Sequence, residues 1–332
     1  MGLIGLGSVG KIHARNCSKL QSANLIAVAD ISKKALKLVK KMGVTQTFTD
    51  YHQLIKQPNI DAVLISLPTH LHAPCAISAA EEGKHVFLEK PLARNPEEGK
   101  KIISAARKNN VRLMVGYPLR FSSTLRHLKN KLDSGVLGDI QTAHAFHIGS
   151  GPFYHRIEHA IPRPVPEWWL KKELTGGALL DLGSHMINLT RWYFGEINDI
   201  KAFLGHRFNF DFEDHAICVA NFTSGTTATI NLGWFSQKDA IGIELFGTVT
   251  HESGYHMRPR KIITAIQLLL GRTPGFSEVY LKEVSHFIRC IKENLQPSPS
   301  GDDALKDLET IARAYKNEIR LHRSNKYGNT KH

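Results

Sequence analysis

The sequence predicts an α/β chain: a parallel sheet covered on both faces by helices, then an α+β portion built on a large, mostly antiparallel open sheet. Three observations carry this. Gly5, Gly7 and Gly10 stand in a G-x-G-x-x-G spacing directly behind an apolar start. Up to Pro118, short apolar runs alternate with helix-patterned segments, and the runs are apolar on both faces, as strands between two helix layers must be. Past Pro118 a long helix is followed by consecutive strand-like segments with partial alternation. The domain boundary is accordingly placed at Pro118, separating 1–118 from 119–332.

In order, Leu3 and Ile4 form a short first strand, and helical spacing runs from Lys11 to Leu20. "LIAVAD" (Leu25 to Asp30) is a buried strand ending in an acid, and Ser32 to Met42 is a basic helix. "DAVLISLP" (Asp61 to Pro68) is a strand, and "APCAISAAEEGK" is a helix that stops near Gly83. "HVFLEKP" (His85 to Pro91) is a strand running into a turn, Pro96 to Asn109 a helix, and "RLMVGYP" one more strand. A helix from Ser122 to Ser134 leads into "GDIQTAHAFHIG" and a Gly- and Pro-rich loop, Gly149 to Pro166. A helix follows at Ala178 to Phe194. Four strands follow, Ile197 to Arg207, His215 to Thr223, Thr226 to Phe235 and Ile241 to Val249. Helices over 278–294 and 302–321 close the chain.

The bulk composition narrows the class. With 332 residues, 42% of them hydrophobic, the chain can bury two medium cores. No apolar run spans a bilayer and no secretory leader opens the sequence, so a cytoplasmic protein without a membrane partner is expected. Four scattered cysteines, none in a C-x-x-C pair, exclude a disulfide framework and suit small buried hydrophobes. The net charge of +13 is spread over helix faces and the C-terminal tail, without aromatic interleaving, which argues against a nucleic-acid partner.

The glycine spacing has the context that a dinucleotide fingerprint requires: a strand before, a helix after, and an acid, Asp30, at the end of the second strand. Gly5 permits the tight turn, Gly7 lets the backbone approach a pyrophosphate, and Gly10 lets the helix pack against the strand. Ser8 and Val9 open the helix whose free N–H groups would meet the phosphates. Asp30 would accept the ribose hydroxyls and repel a 2′-phosphate, which favours NAD over NADP.

Two more stretches lie at the carboxyl ends of strands, where ligands collect in an open parallel sheet. "SLPTHLHAP" places Pro68, Thr69 and His72 there, and "FLEKP" places Glu89 and Lys90. A lysine facing the cofactor crevice can be tuned for chemistry, although an exposed turn lysine gives the same pattern. In "TGGALLDLGSHMINLTRWYFG", Asp181 and His185 are four apart on one helix face and Asn188 continues that stripe. Apolar neighbours on the same helix bury the stripe, so the pair is either a structural hydrogen bond or a carboxylate orienting a proton-accepting imidazole.

These stretches together resemble the glucose–fructose oxidoreductase / inositol dehydrogenase / MocA family over nearly the whole chain. The likeness rests on "GLGSVG", "AVAD", "LPTHLHAPCAISAAEEGKHVFLEKPLA", "GYPLRF" and "GGALLDLGSHMINL". It implies an N-terminal Rossmann fold and a C-terminal open sheet that forms a homodimer or homotetramer interface. It also implies an NAD-dependent dehydrogenase acting on a secondary hydroxyl of a sugar, sugar nucleotide or inositol, with Lys90, Asp181 and His185 as the catalytic group. Lys90, Arg120, Asp181, His185 and Asn188 would supply polar contacts to a polyol, and Trp168 or Trp169 would stack on a sugar face or fill a core. Where Asn188 stands, many members carry an acid. The loop basics Arg156, Arg163, Lys171 and Lys172 lean toward an anionic substrate such as a UDP-sugar. Three other readings remain open. They are an NAD-dependent glycoside hydrolase working through transient oxidation, a non-catalytic NAD-binding regulator, and a metal enzyme built on His144, His147, His155 and His159. The last lacks paired acids or cysteines nearby, and no metal is expected.

Overall fold

Short apolar runs separated by amphipathic helices build the first sheet. The computed structural model describes residues 1–149, 151, 167–208, 210–236, 239–256 and 276–319. Strand β1 (Gly2–Ile4) leads through the glycine turn into α1 (Ser8–Cys17). There follow β2 (Ala27–Ala29), α2 (Lys33–Lys40), β3 (Gln46–Phe48), α3 (Tyr51–Ile55), β4 (Ala62–Ile65) and α4 (His72–Glu81). The half then closes with β5 (His85–Glu89), α5 (Pro96–Lys108) and β6 (Leu113–Gly116). Helix starts follow local chemistry. Ser32 caps α2 by accepting from the Ala35 N–H, and Asn95 caps α5 just before Pro96. The six strands lie in the order β3-β2-β1-β4-β5-β6, all parallel. β1 pairs with both β2 and β4, so the strand order reverses beside the glycine turn, where such sheets bind ligands.

The second half comprises α6 (Ser123–Asp133), β7 (Ile140–Ile148), α7 (Lys172–Thr175) and α8 (Ala178–Phe194). It continues through β8 (Ile197–Gly205), β9 (His215–Phe222), β10 (Thr227–Gly233), β11 (Ala240–Gly247), β12 (His251–Tyr255), α9 (Phe276–Lys292) and α10 (Gly301–Lys316). Its sheet has the order β12-β11-β7-β10-β9-β8. Only the β7–β10 pair is parallel, so the sheet is mixed and mostly antiparallel. One face is core: Ala145, Cys218, Ile230 and Ile243 are each fully buried, and α8 packs across β7, β9 and β10. The other face leaves Ile217, Val219 and Phe246 about two-fifths exposed.

The last two helices return to the first sheet. Val284 and Phe287 of α9 share a core with Leu3, Phe87 and Met114. α10, opened by a Ser300/Asp303 capping box, packs on α5 and α8. By packing, these helices serve both sheets. None of the described helices is long and apolar enough to cross a membrane, and all four cysteines are free and buried.

Candidate active site

The glycine turn is shaped by contacts that a side chain would destroy. Gly5 has φ +95°, and a Cβ there would lie 2.3 Å from the Ser66 carbonyl oxygen. A Cβ on Gly10 would lie 2.0 Å from the Gly5 carbonyl. Gly7, by contrast, has nothing within 4 Å on its open side, and as N-cap of α1 it offers no side-chain cap. The exposed N-terminus at Ser8 and Val9 is therefore free to meet a phosphate. Asp30 accepts from the Leu6 N–H at 2.6 Å and the Ser32 N–H at 2.7 Å, which fixes its carboxylate at the end of β2 over the turn. An uncapped helix start, an open glycine and a tethered acid fit a dinucleotide, with the pyrophosphate over Gly7 and the ribose at Asp30. Gly10→Ala is expected to abolish the NAD-induced rise in melting temperature, because the methyl must displace backbone rather than a flexible side chain.

Pro68 and Thr69 open a 3-10 turn after β4, as the sequence placed them. His72 and Glu89 differ from the expectation of cofactor contact. His72 is 1% exposed, and its two ring nitrogens meet the Pro91 and Leu67 carbonyls at 2.8 and 2.9 Å. It thus staples the loops after β4 and β5 together. Glu89 is 7% exposed and bound to His13, 2.6 Å away. Both shape the crevice from beneath.

Lys90 follows β5 and reaches across to α8. Its ammonium donates to Asp181 Oδ1 at 2.5 Å and to the Asp181 carbonyl at 3.1 Å. Asp181 is set by the double glycine before α8. Gly176 turns the chain with φ +72°, and a Cβ on Gly177 would lie 2.2 Å from the Glu213 carboxyl group. Glu213, buried in the link between β8 and β9, accepts from the Leu179 N–H at 2.9 Å and the Tyr315 hydroxyl at 2.7 Å. A carboxylate from outside the helix thus caps the helix start that carries Asp181. Glu213 escaped sequence reasoning, and the double glycine was its only trace.

His185 sits one turn beyond Asp181 on α8. Asp181 does not orient it: the carboxylate is taken by Lys90, and His185 Nδ1 is buried with no hydrogen-bond partner among the described residues. The ring is instead held by packing, with Tyr117 edge-on at 6.4 Å and His147 at 5.5 Å. Burial, then the charges of Lys90, His147 and His256, push the His185 imidazole well below its usual range. His185 therefore stays neutral, with a lone pair to offer, at neutral pH. Tyr117 and His256 were not anticipated from the sequence, and His147 was weighed there only as a metal ligand.

Arg120 and Asn188 are brought together in the interior. Asn188 is 1% exposed; its Oδ1 accepts from Arg120 Nε and its Nδ2 donates to Asp307, both at 2.7 Å. Asp307 also pairs with buried Arg191, and Arg120 lies over the Trp192 ring at 5.7 Å. Asn188 and Arg120, expected to bind substrate, are thus found in a buried network that links α8 to α10. At 1% exposure, and with each end of its amide engaged, Asn188 offers no accessible surface to a ligand. Asp307→Ala takes away the buried carboxylate shared by Arg191 and Asn188, leaving Arg191 its ion pair with half-exposed Glu196, and is expected to cost about 3 kcal/mol, read as a lower denaturant midpoint.

Trp169 is half-buried and stacks with Trp168 at 6.2 Å, just ahead of exposed Lys171 and Lys172. Arg156, Arg163, His155 and His159 lie outside the described residues. His144 and His147 fall on opposite faces of β7. His144 lies near Glu244 on the outer face, and His147 lies beside His185. They do not converge on a metal.

Comparison with known proteins adds to this geometry. Residues 1–117 match a model described as an oxidoreductase family with an NAD-binding Rossmann fold, and residues 125–250 match the GFO/IDH/MocA C-terminal domain. A myo-inositol 2-dehydrogenase of Thermotoga maritima is 30% identical over 322 residues, 91% of each chain. A scyllo-inositol 2-dehydrogenase (NAD(+)) of Bacillus subtilis is 26% identical over 325 residues, 92% of this chain and 90% of the relative. The solved scyllo-inositol dehydrogenase of Lactobacillus casei, with NAD(H) and scyllo-inositol bound, shares the fold. Its TM-score is 0.79 at 23% identity, over 96% of both chains.

Proposed function

The chain belongs to the GFO/IDH/MocA oxidoreductase family, and from that premise we propose that it is an NAD-dependent dehydrogenase oxidising a secondary hydroxyl of an inositol or sugar. One observation carries the reading. A lysine from the end of β5 pairs with an acid on α8, one turn from a neutral buried histidine, in a chain whose first strand ends in a turn open to a dinucleotide. NAD+, when bound, supplies the acceptor for the hydride that leaves the substrate carbon.

The chain's own residues handle the proton and the charge. Neutral His185 accepts the hydroxyl proton at Nε2, since Nδ1 is buried. The Lys90 ammonium, spending one hydrogen bond on the Asp181 carboxylate and one on its carbonyl, has a further N–H for the substrate oxygen as charge develops there. Asp181 holds that ammonium in place. Trp169 and the lysines beside it would flank the polyol.

The same proposal assigns cofactor binding to residues 1–118 and substrate binding to 119–332. It places the protein in the cytoplasm, in keeping with four unpaired cysteines. It makes the half-exposed apolar face of the second sheet the contact of a homodimer or homotetramer. The test is nicotinamide absorbance with NAD+ and, in turn, inositols, free hexoses, amino sugars and UDP-sugars. NADH appearing with one class supports the dehydrogenase. Silence across the panel, with an NAD-induced melting shift intact, contradicts it.

A further inference from the structure

Beneath Lys90 lies a cluster that the reaction does not use. Glu89 ends β5, His13 lies one turn after Gly10 on α1, and Glu283 comes from α9. His13 and Glu283 are fully buried and Glu89 nearly so, and one donor atom from each lies within 4.8 Å of the others. His13 Nε2 and Glu89 Oε1 are hydrogen-bonded at 2.6 Å. Both oxygens of Glu283 are without a partner among the described residues.

A lone carboxylate in a dry core beside a second one is too costly to persist ionised. Either a cation or a proton must compensate it. The 2.6 Å contact between His13 and Glu89 argues against a metal held by those two atoms, and the unpartnered carboxyl of Glu283 is the group left to carry the proton. Ligands sharing one metal at roughly 2.1 Å are held about 3 Å or more apart, so a nitrogen and an oxygen this close have a hydrogen between them. We propose that Glu283 occupies the cluster as a neutral carboxylic acid beside the Glu89 carboxylate, and that it positions the end of β5 from which Lys90 projects. Burial, then the Glu89 charge, push the Glu283 carboxyl well above the usual carboxylate range.

Other groups nearby are accounted for. Tyr280 of α9 stacks edge-on to His13 at 5.2 Å. Arg120, from the turn that packs on α9, directs its Nε to Asn188, and Arg126, from α6, directs its Nε to the Arg120 carbonyl. The positioning role rests on the reading of Lys90 as catalytic; the neutral acid does not.

E283Q and E283A, compared with wild type by melting temperature across pH and by steady-state kinetics, test both parts. An acid kept protonated by the fold but ionised in the unfolded chain costs stability as pH climbs from its unfolded value toward its folded one. Glutamine cannot ionise. E283Q should therefore melt above wild type by a margin that widens from about pH 5 to pH 8. E283Q should keep kcat, while E283A should lose about tenfold in kcat with the KM for NAD+ nearly unchanged, as loosened positioning predicts. A flat or reversed margin, or one divalent metal per chain lost in E283Q, overturns the neutral acid. Equal loss of kcat in both variants overturns the positioning role. A wild type that oxidises no polyol overturns the reading of Lys90 and with it the positioning role, while the melting margin, which needs no substrate, still decides the protonation.

Discussion

Lys90→Ala is expected to lower kcat about 10³-fold while the NAD-induced melting shift stays close to that of wild type. The magnitude follows from what the ammonium does. It is a full positive charge 2.5 Å from Asp181, carried on a loop that His72 ties down. Truncation removes a preorganised donor from the oxygen that gains charge and leaves Asp181 without its cation. Repulsion from that stranded carboxylate adds to the barrier. The pyrophosphate and ribose sites at Gly7 and Asp30 are untouched, so cofactor affinity and turnover separate cleanly. Equal losses of NAD binding and kcat would place Lys90 in cofactor binding instead.

His185→Ala is expected to cost between 10² and 10⁴ in kcat, the range for a lost general base. The pH profile gives the sharper check. The base must be unprotonated, and burial with three cationic or imidazole neighbours holds its pKa well below the usual histidine value. Wild-type kcat/KM should therefore fall only on the acid side, with its midpoint below about pH 6.5, and be level at neutral pH. His185→Ala should remove that limb. A midpoint above the ordinary histidine value would mean that His185 is stabilised as imidazolium, which its surroundings do not support.

The cofactor half was legible in the sequence because its chemistry is local. Gly5, Gly7, Gly10 and Asp30 lie within one strand–helix–strand unit, where spacing translates directly into geometry. The α8 helix was legible to the residue because its glycines and apolar run mark both ends. Short elements were missed: β3, with three half-buried residues of which two are polar, carries no signal above a loop. β12 and α3, at five residues each, are only a little longer. The roles along α8 were misread for a different reason. Helical spacing puts Asp181, His185 and Asn188 on one stripe, but α8 is packed on nearly all sides, and the stripe runs from the crevice into the contact with α10. What each side chain meets is then set by residues 68 to 119 positions away, Lys90, Arg120 and Asp307. Glu213 and Glu283 were illegible for the same reason, since each acts on a segment far from it in sequence.

Isotope transfer follows the hydride itself. The substrate that reduces NAD+ would be supplied with deuterium on the carbon bearing the reacting hydroxyl, and the mass of the cofactor product recorded. The account predicts reduced cofactor heavier by one deuterium, formed by wild type and lost in step with turnover in Lys90→Ala and His185→Ala. Cofactor that stays unlabelled while the deuterium appears in water would contradict a direct transfer from carbon to nicotinamide, and with it the role given to this site.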